Sequence, residues 1–433
     1  MKVFKYLFIS SIMFAVTSCG NDWLDLAPST QVDTETSINV LSDIEFTLNG
    51  IYSTMQSSDA YSGRLVYYGD VTGDDMQAVS STKRTGNYYR FNFTKDNGPS
   101  SHWSYLYSII QNCNLILMNV DKLSIDEDET EYKNDLKGQA LAIRGMALFD
   151  LTRIFGYPYL KDNGASLGVP IVKELSTIDS KPARNTVAEC YTEIISDLKN
   201  STELLSGDFN KGKVNRWAAM TLLSRVYLYK GEYNEALTMA ENAIKGAEKE
   251  GYALWTNEEY PTAWGNDASA SNPGEILFEI VNLTTGKESM GYLNSYNGYD
   301  DMCITCSFYQ LLKKDPKDVR LKILSFDKKY YAYVNKYQPQ QGENITDANI
   351  PLIRLSEAYL NAAEAAVQTG DNAKAVKYLN SIVQRANPEN SVEGKTLTLE
   401  NVLDERRKEL VAEGHRMYDV IRNGMTVKRI DVK

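Results

Sequence analysis

Three carboxylates stand closest to chemistry in this chain: Asp70, Asp74 and Asp75, in a stretch broken by Gly69 and Gly73. Paired carboxylates can do general acid/base work at a glycosidic bond, and clustered ones can hold calcium. A calcium loop is excluded, because the spacing and the distal Glu do not match. Two readings stay open: ordinary turn chemistry, or short acceptors for ligand hydroxyls. A second candidate is Cys303-x-x-Cys306, the spacing of a redox or zinc half-site. No second pair and no nearby histidine completes a zinc set, which leaves a disulfide or free thiols. A third is Glu405-Arg406-Arg407-x-Glu409, continued by Glu413, Arg416, Asp419 and Arg422. Steps of three and four residues place alternating charges along helix faces, a salt-bridge pattern rather than an acid/base set, with His415 beside it. Only His102 and His415 are present, which argues against Ser-His-Asp or Cys-His catalysis.

Tyrosine is the other chemical signature, with 29 residues against 12 Phe and 5 Trp. Its flat apolar face and hydroxyl suit polar ligands with apolar faces, and also interfaces. The candidates outside helices are Tyr88 and Tyr89 in one region, and Trp255, Trp264, Tyr292, Tyr296 and Tyr299 in another. Sugar rings expose C–H faces that stack on such rings, and Arg84, Arg90, Asn266, Asn294 and Asn297 could fix their orientation.

Helical periodicity dominates the elements that must position these groups. Helices are predicted over Val40–Met55, Trp103–Val120 and Leu136–Phe155, the last stopped by Gly156 and Pro158. Thr186-x-x-Glu189 is a capping box for a helix reaching Leu205. Trp217–Lys230, Gly231 and Ala236–Ala247 form a helix pair with a tetratricopeptide-type turn. Tyr359–Thr369, Gly370 and Ala375–Ala386 repeat it. Between and before these pairs, regions 61–99 and 255–349 are rich in Tyr, Asn, Gly and Asp and lose periodicity, apart from a β-like run over Glu275–Val281. The reading is a mainly α scaffold presenting two long, irregular, aromatic-rich loop regions.

The N-terminus sets the context. Lys2 and Lys5 precede an apolar run over Tyr6–Val16, and then Thr17-Ser18-Cys19. This predicts a signal peptide over 1–18, lipidation at Cys19, an extended tether over 19–35 and one folded domain over 36–433. The apolar run is too short to remain as a membrane span. Without the two leader lysines, 44 basic residues face 57 acidic ones, a net charge of −13. An acidic body does not suit nucleic acid or direct adhesion to an anionic membrane, so membrane contact would run through the lipid alone. Cys113 and Cys190 fall on apolar helix faces and read as small hydrophobes.

Several ordered segments carry a resemblance. They include Ile350-Pro351-Leu352-Ile353-Arg354-Leu355-Ser356-Glu357-Ala358-Tyr359, Glu405-Arg406-Arg407-Lys408-Glu409-Leu410, Glu413-Gly414-His415-Arg416 and Asp419-Val420-Ile421-Arg422-Asn423-Gly424. Earlier come Trp103…Tyr107…Asn114, Ala140-x-x-Ile143-Arg144-Gly145, Gly168-Val169-Pro170 and Arg184-x-Thr186-Val187. Together they resemble the SusD/RagB family, the lipid-anchored nutrient-binding proteins of Bacteroidetes outer membranes. The resemblance implies tetratricopeptide-like helix pairs, a SusC-like TonB-dependent transporter as partner, and capture of a nutrient, most often a glycan, at the cell surface without chemistry or cofactor. The aromatic loops supply the expected ligand contacts: Asp70, Asp74, Asp75, Arg84, Tyr88, Tyr89, Trp264, Tyr292, Tyr296 and Tyr299. An alternative is an adaptor lipoprotein whose helix pairs and loops hold a protein or peptide.

Overall fold

The computed structural model describes residues 38–94, 98–177, 179–265, 273–282, 290–328, 331–339 and 348–429. The leader, Cys19, the tether and Asn266 lie outside them. The first half is helical: α1 (Leu41–Met55), α2 (Arg64–Val71), α3 (Gly86–Tyr89), α4 (Ser100–Asn119), α5 (Thr130–Phe155), α6 (Val187–Leu204), α7 (Arg216–Lys230) and α8 (Tyr233–Lys249). The second half adds α9 (Met290–Leu293), α10 (Cys306–Lys313), α11 (Leu355–Gln368), α12 (Asn372–Ala386), α13 (Leu399–Leu410) and α14 (Arg416–Arg422). Helices α4 to α8 pack each on the next, and α11 lies against both α8 and α12. Ile143, Phe149, Leu198, Leu222, Val226, Leu360 and Leu379 are buried between them. Among the described residues, no helix is long and apolar enough to cross a membrane.

Local chemistry accounts for the helix ends. At α6, Thr186 accepts the Glu189 amide at 3.2 Å while the Glu189 carboxylate accepts the Thr186 amide at 2.7 Å. The two helix-pair turns match the expected grammar. Gly231 follows α7 with φ +83°, and Gly370 follows α11 with φ +79°, both in the left-handed region that disfavours a side chain. A Cβ on Gly231 would also sit 2.8 Å from Leu160. Ala236 and Ala375, at matching positions after each turn, are fully buried where the helices approach closely.

The two aromatic regions are not irregular throughout. The first contains α2, β1 (Met76–Ala78) and α3; the second contains β2 (Ile276–Ile280), α9, β3 (Met302–Ile304), α10, β4 (Leu324–Phe326) and β5 (Ala332–Val334). Periodicity failed there for a physical reason. Helix α2 spans only eight residues, with Leu65, Val66, Tyr67, Gly69, Asp70 and Val71 buried, too short a stretch to show a polar and an apolar face. Three-residue strands are too short to alternate visibly. Among the described residues the strands form three antiparallel pairs: β1 with β3, β4 with β5, and β2 with β6 (Ile350–Arg354).

The C-terminal charges differ from expectation in their partners. Pairs within a helix do occur, such as Lys408 with Glu405 and Arg422 with Asp419. Most pairs instead join distant elements in the interior. Glu409 is 2.6 Å from Arg385, 3.1 Å from Arg354 and 3.3 Å from Arg320. Glu413 meets Lys336 at 2.6 Å and Arg354 at 2.7 Å, and Arg422 pairs with Glu364. Burial alone would raise the Glu409 carboxyl, but Arg385, Arg354 and Arg320 outweigh it and hold the group well below the usual carboxylate range. Such clusters cost desolvation to build and are strongly destabilised when one partner is removed.

Candidate functional site

The β1–β3 ladder makes one site of two segments more than two hundred residues apart. Met76 faces Ile304, Gln77 faces Cys303 and Ala78 faces Met302. In this antiparallel register, the chain leaving β1 and the chain entering β3 emerge at the same end. The Val79 amide donates to the Asp301 carbonyl at 3.0 Å, and the Thr85 hydroxyl donates to the same oxygen at 2.8 Å.

Side chains then cross between the two segments. Arg84 Nη1 lies 3.0 Å from Asp301 Oδ2, and its guanidinium sits 3.9 Å from the centre of the Tyr299 ring. Lys83 Nζ donates to the Tyr299 carbonyl at 2.6 Å and stands 3.7 Å from Asp300 Oδ2. Tyr292 packs on Tyr299 with centroids 5.1 Å apart and planes tilted by 36°. Tyr296, 45% exposed, lies 5.9 Å from the ring of Tyr333, whose hydroxyl donates to Asp300. Asn294 is buried and structural, with its amide donating to the Val334 carbonyl at 2.7 Å, which ties this loop to β5. Burial of Asp301 pushes its carboxyl up, against the pull of Arg84. The result is a half-open surface of aromatic faces beside charge-paired donors and acceptors, chemistry that suits a ring bearing many hydroxyls. Asp300 and Asp301 are engaged by Lys83 and Arg84.

Of the candidates, Arg84, Tyr292, Tyr296 and Tyr299 lie together in this cluster; several others do not. Asp70, Asp74 and Asp75 are buried, which corrects their reading as ligand contacts. Asp70 accepts the Gly414 amide at 3.0 Å, and burial raises its carboxyl despite that bond. Asp74 pairs with Arg416 at 2.5 Å, and this pairing outweighs burial to lower its carboxyl. Asp75 pairs with Arg407 at 2.6 Å. The three aspartates therefore clamp the end of α2 to the C-terminal segment. Trp264 is likewise interior, 3% exposed, with Lys336 and Arg354 each 4.9 Å from its ring and Trp255 at 5.0 Å. Tyr88 is buried edge-on to Tyr67 and Tyr68 and stacked on His102. Tyr89 is half-buried under Arg429, 4.1 Å from its ring. Arg90 and Asn297 are exposed. The CxxC cysteines are free thiols: Cys303 is buried in β3, while Cys306 is exposed at the start of α10.

Lys83, Asp300, Asp301 and Tyr333 were missed. Their only sequence signal is a basic pair, Lys83-Arg84, matched by an acidic pair next to Tyr299. Nothing in the sequence joins the two pairs without the β1–β3 register.

Comparison with known proteins agrees with this architecture. A family model described as starch-binding associating with outer membrane matches residues 22–228, and the model of the SusD family matches residues 320–431. A solved structure from Bacteroides vulgatus ATCC 8482 is 99% identical, covering 92% of this chain and 90% of its own, with a TM-score of 0.90. A SusD superfamily protein from the same organism is 36% identical over 91% of each chain, with a TM-score of 0.86. A SusD-like carbohydrate binding protein, also from that organism, is 25% identical, covering 91% of this chain and 85% of its own, with a TM-score of 0.77. The matched segments take in both the helical scaffold and the buried C-terminal charge network, and the chain belongs to the SusD/RagB family.

Proposed function

We propose that this chain is a cell-surface lipoprotein, anchored at Cys19, that captures a glycan and passes it to a SusC-like TonB-dependent transporter in the outer membrane. The observation that carries the reading is the joining of Arg84, Tyr292, Tyr296 and Tyr299 in one half-open cluster by the β1–β3 ladder. Aromatic faces bind the C–H faces of sugars, and the charge-paired Arg84 guanidinium lies against the Tyr299 ring beside them. The reading also draws on the starch-binding description of the matching family model and on the carbohydrate-binding relative. The role is capture without bond cleavage, since the carboxylates of the cluster are held in ion pairs.

A soluble chain without residues 1–19 tests this in native gels cast with single polysaccharides. Retardation by at least one glycan is expected, with loss of retardation in Tyr292→Ala. Unchanged mobility across a broad panel of glycans and peptides would contradict the reading. Co-purification with a β-barrel partner from outer membranes tests the transporter step separately.

A further inference from the structure

We propose that the Arg84–Tyr299 cluster takes neutral glycans and turns away uronate- or sulfate-bearing ones, with Asp300 and Asp301 as the residues that set this choice. The inference rests on the glycan reading above. Recognition of a polyanion needs cations whose charge is not already spent. Here each cation of the cluster is answered within the protein. Arg84 lies 3.0 Å from Asp301, a fully buried carboxylate, and Lys83 lies 3.7 Å from Asp300 while donating to a carbonyl. An incoming carboxylate or sulfate that claimed Arg84 would strand Asp301 without its partner in the interior, which is strongly disfavoured. One that approached Lys83 would meet Asp300, which is half-exposed beside it. Sugar hydroxyls and ring oxygens make no such demand. The C–H faces of neutral sugars can stack on Tyr292 and Tyr299, and their hydroxyls can donate to the half-exposed Asp300, without displacing either ion pair. The acidic chain, with a net charge of −11 before processing, adds repulsion of polyanions at longer range.

Backbone geometry supplies a mild way to test this. Asp300 has φ +52°, a left-handed position that Asn accepts about as readily as Asp. Asp300→Asn therefore removes the charge with little change of shape and releases Lys83. The probes are starch, laminarin and galactomannan as neutral glycans, and polygalacturonate, alginate and chondroitin sulfate as anionic ones. Wild type is expected to bind at least one neutral probe, with affinity changing less than about twofold between roughly 0.02 and 0.2 M salt. In Asp300→Asn, affinity for the anionic probes should rise about three- to fivefold and fall again with salt, while affinity for the neutral probes does not rise. If that variant does not fold, Lys83→Gln replaces it: binding of the anionic probes should not fall, and a fall of about threefold or more would show that the Lys83 charge is open to anions and overturn the inference. Wild-type binding of an anionic probe as tightly as any neutral one, weakened by salt, overturns this inference and leaves glycan capture standing. Binding of no glycan across a broad neutral and anionic panel removes glycan capture itself and this inference with it.

Discussion

Around Glu409 and around Tyr299 the molecule uses the same parts, with opposite exposure. In the first region Arg320, Arg354 and Arg385 converge on a buried carboxylate, and the Trp264 ring lies against Arg354 and Lys336. In the second, Arg84 meets a buried carboxylate and covers the Tyr299 ring, but the guanidinium, Tyr292 and Tyr296 keep contact with solvent. An arginine–carboxylate–aromatic set is therefore not a site by composition. Closed on every side, it fixes elements from four parts of the chain, as Glu275, Arg354, Arg385 and Glu409 do. Open on one side, it becomes a surface that can bind.

The sharpest way to break this contrast is at the closed cluster. Glu409→Ala leaves three guanidinium groups facing one another and should cost about 3–5 kcal/mol in denaturant unfolding. Binding by the fraction that folds should persist; loss of stability under 1 kcal/mol would place this cluster with surface pairs. Trp264→Ala follows at about 3 kcal/mol, through the cavity left behind. If it lowered glycan affinity at full thermal stability, Trp264 would return to the ligand set.

His102 gives an intermediate effect with a defined pH window. Both of its ring nitrogens are unpartnered, and burial, with Arg64 adding to it, pushes it down to about 3. An unfolded histidine titrates near 6.5. Between these values the unfolded chain binds the proton and the folded chain does not, so stability is full above about pH 6.5 and falls as pH drops toward 3. Glu409 and Asp419, both depressed in the fold, lose their contribution at the acidic end of that range, below about pH 4.3. Comparison of wild type with His102→Phe isolates the histidine: the variant should lose up to about 1.4 kcal/mol per pH unit of slope. Parallel stability curves would show that His102 is hydrated. Smallest of all, Arg84→Lys keeps the charge but loses the flat stack on Tyr299, and should weaken glycan binding about three- to tenfold with stability within about 0.5 kcal/mol.

The legible parts of this fold are the long helices with marked ends, even where, as in α5 and α7, most residues are buried. Thr186-x-x-Glu189, Gly231 and Gly370 marked helix ends that the structure places within a residue or two. Helix α2 was hidden because its eight residues are too few to show a helical period, and β1 and β3 because they are too short to alternate. Within the site, Arg84, Tyr292, Tyr296 and Tyr299 stood out by type and setting. Asp74 and Asp75 looked equally apt, yet their partners Arg416 and Arg407 lie more than three hundred residues away and absorb them. Burial by distant partners leaves no local mark, and so neither their role nor that of Asp300 and Asp301 could be read along the chain.

In this reading the open cluster, not the closed one, holds the ligand. Titration calorimetry of Tyr292→Ala/Tyr296→Ala against wild type, with whichever polysaccharide retards wild type, tests it most directly. Removing two stacking faces should cost about 2–3 kcal/mol of binding, some thirty- to hundredfold in Kd, with an unchanged Tm. Unaltered affinity in a fully folded double variant would contradict the account.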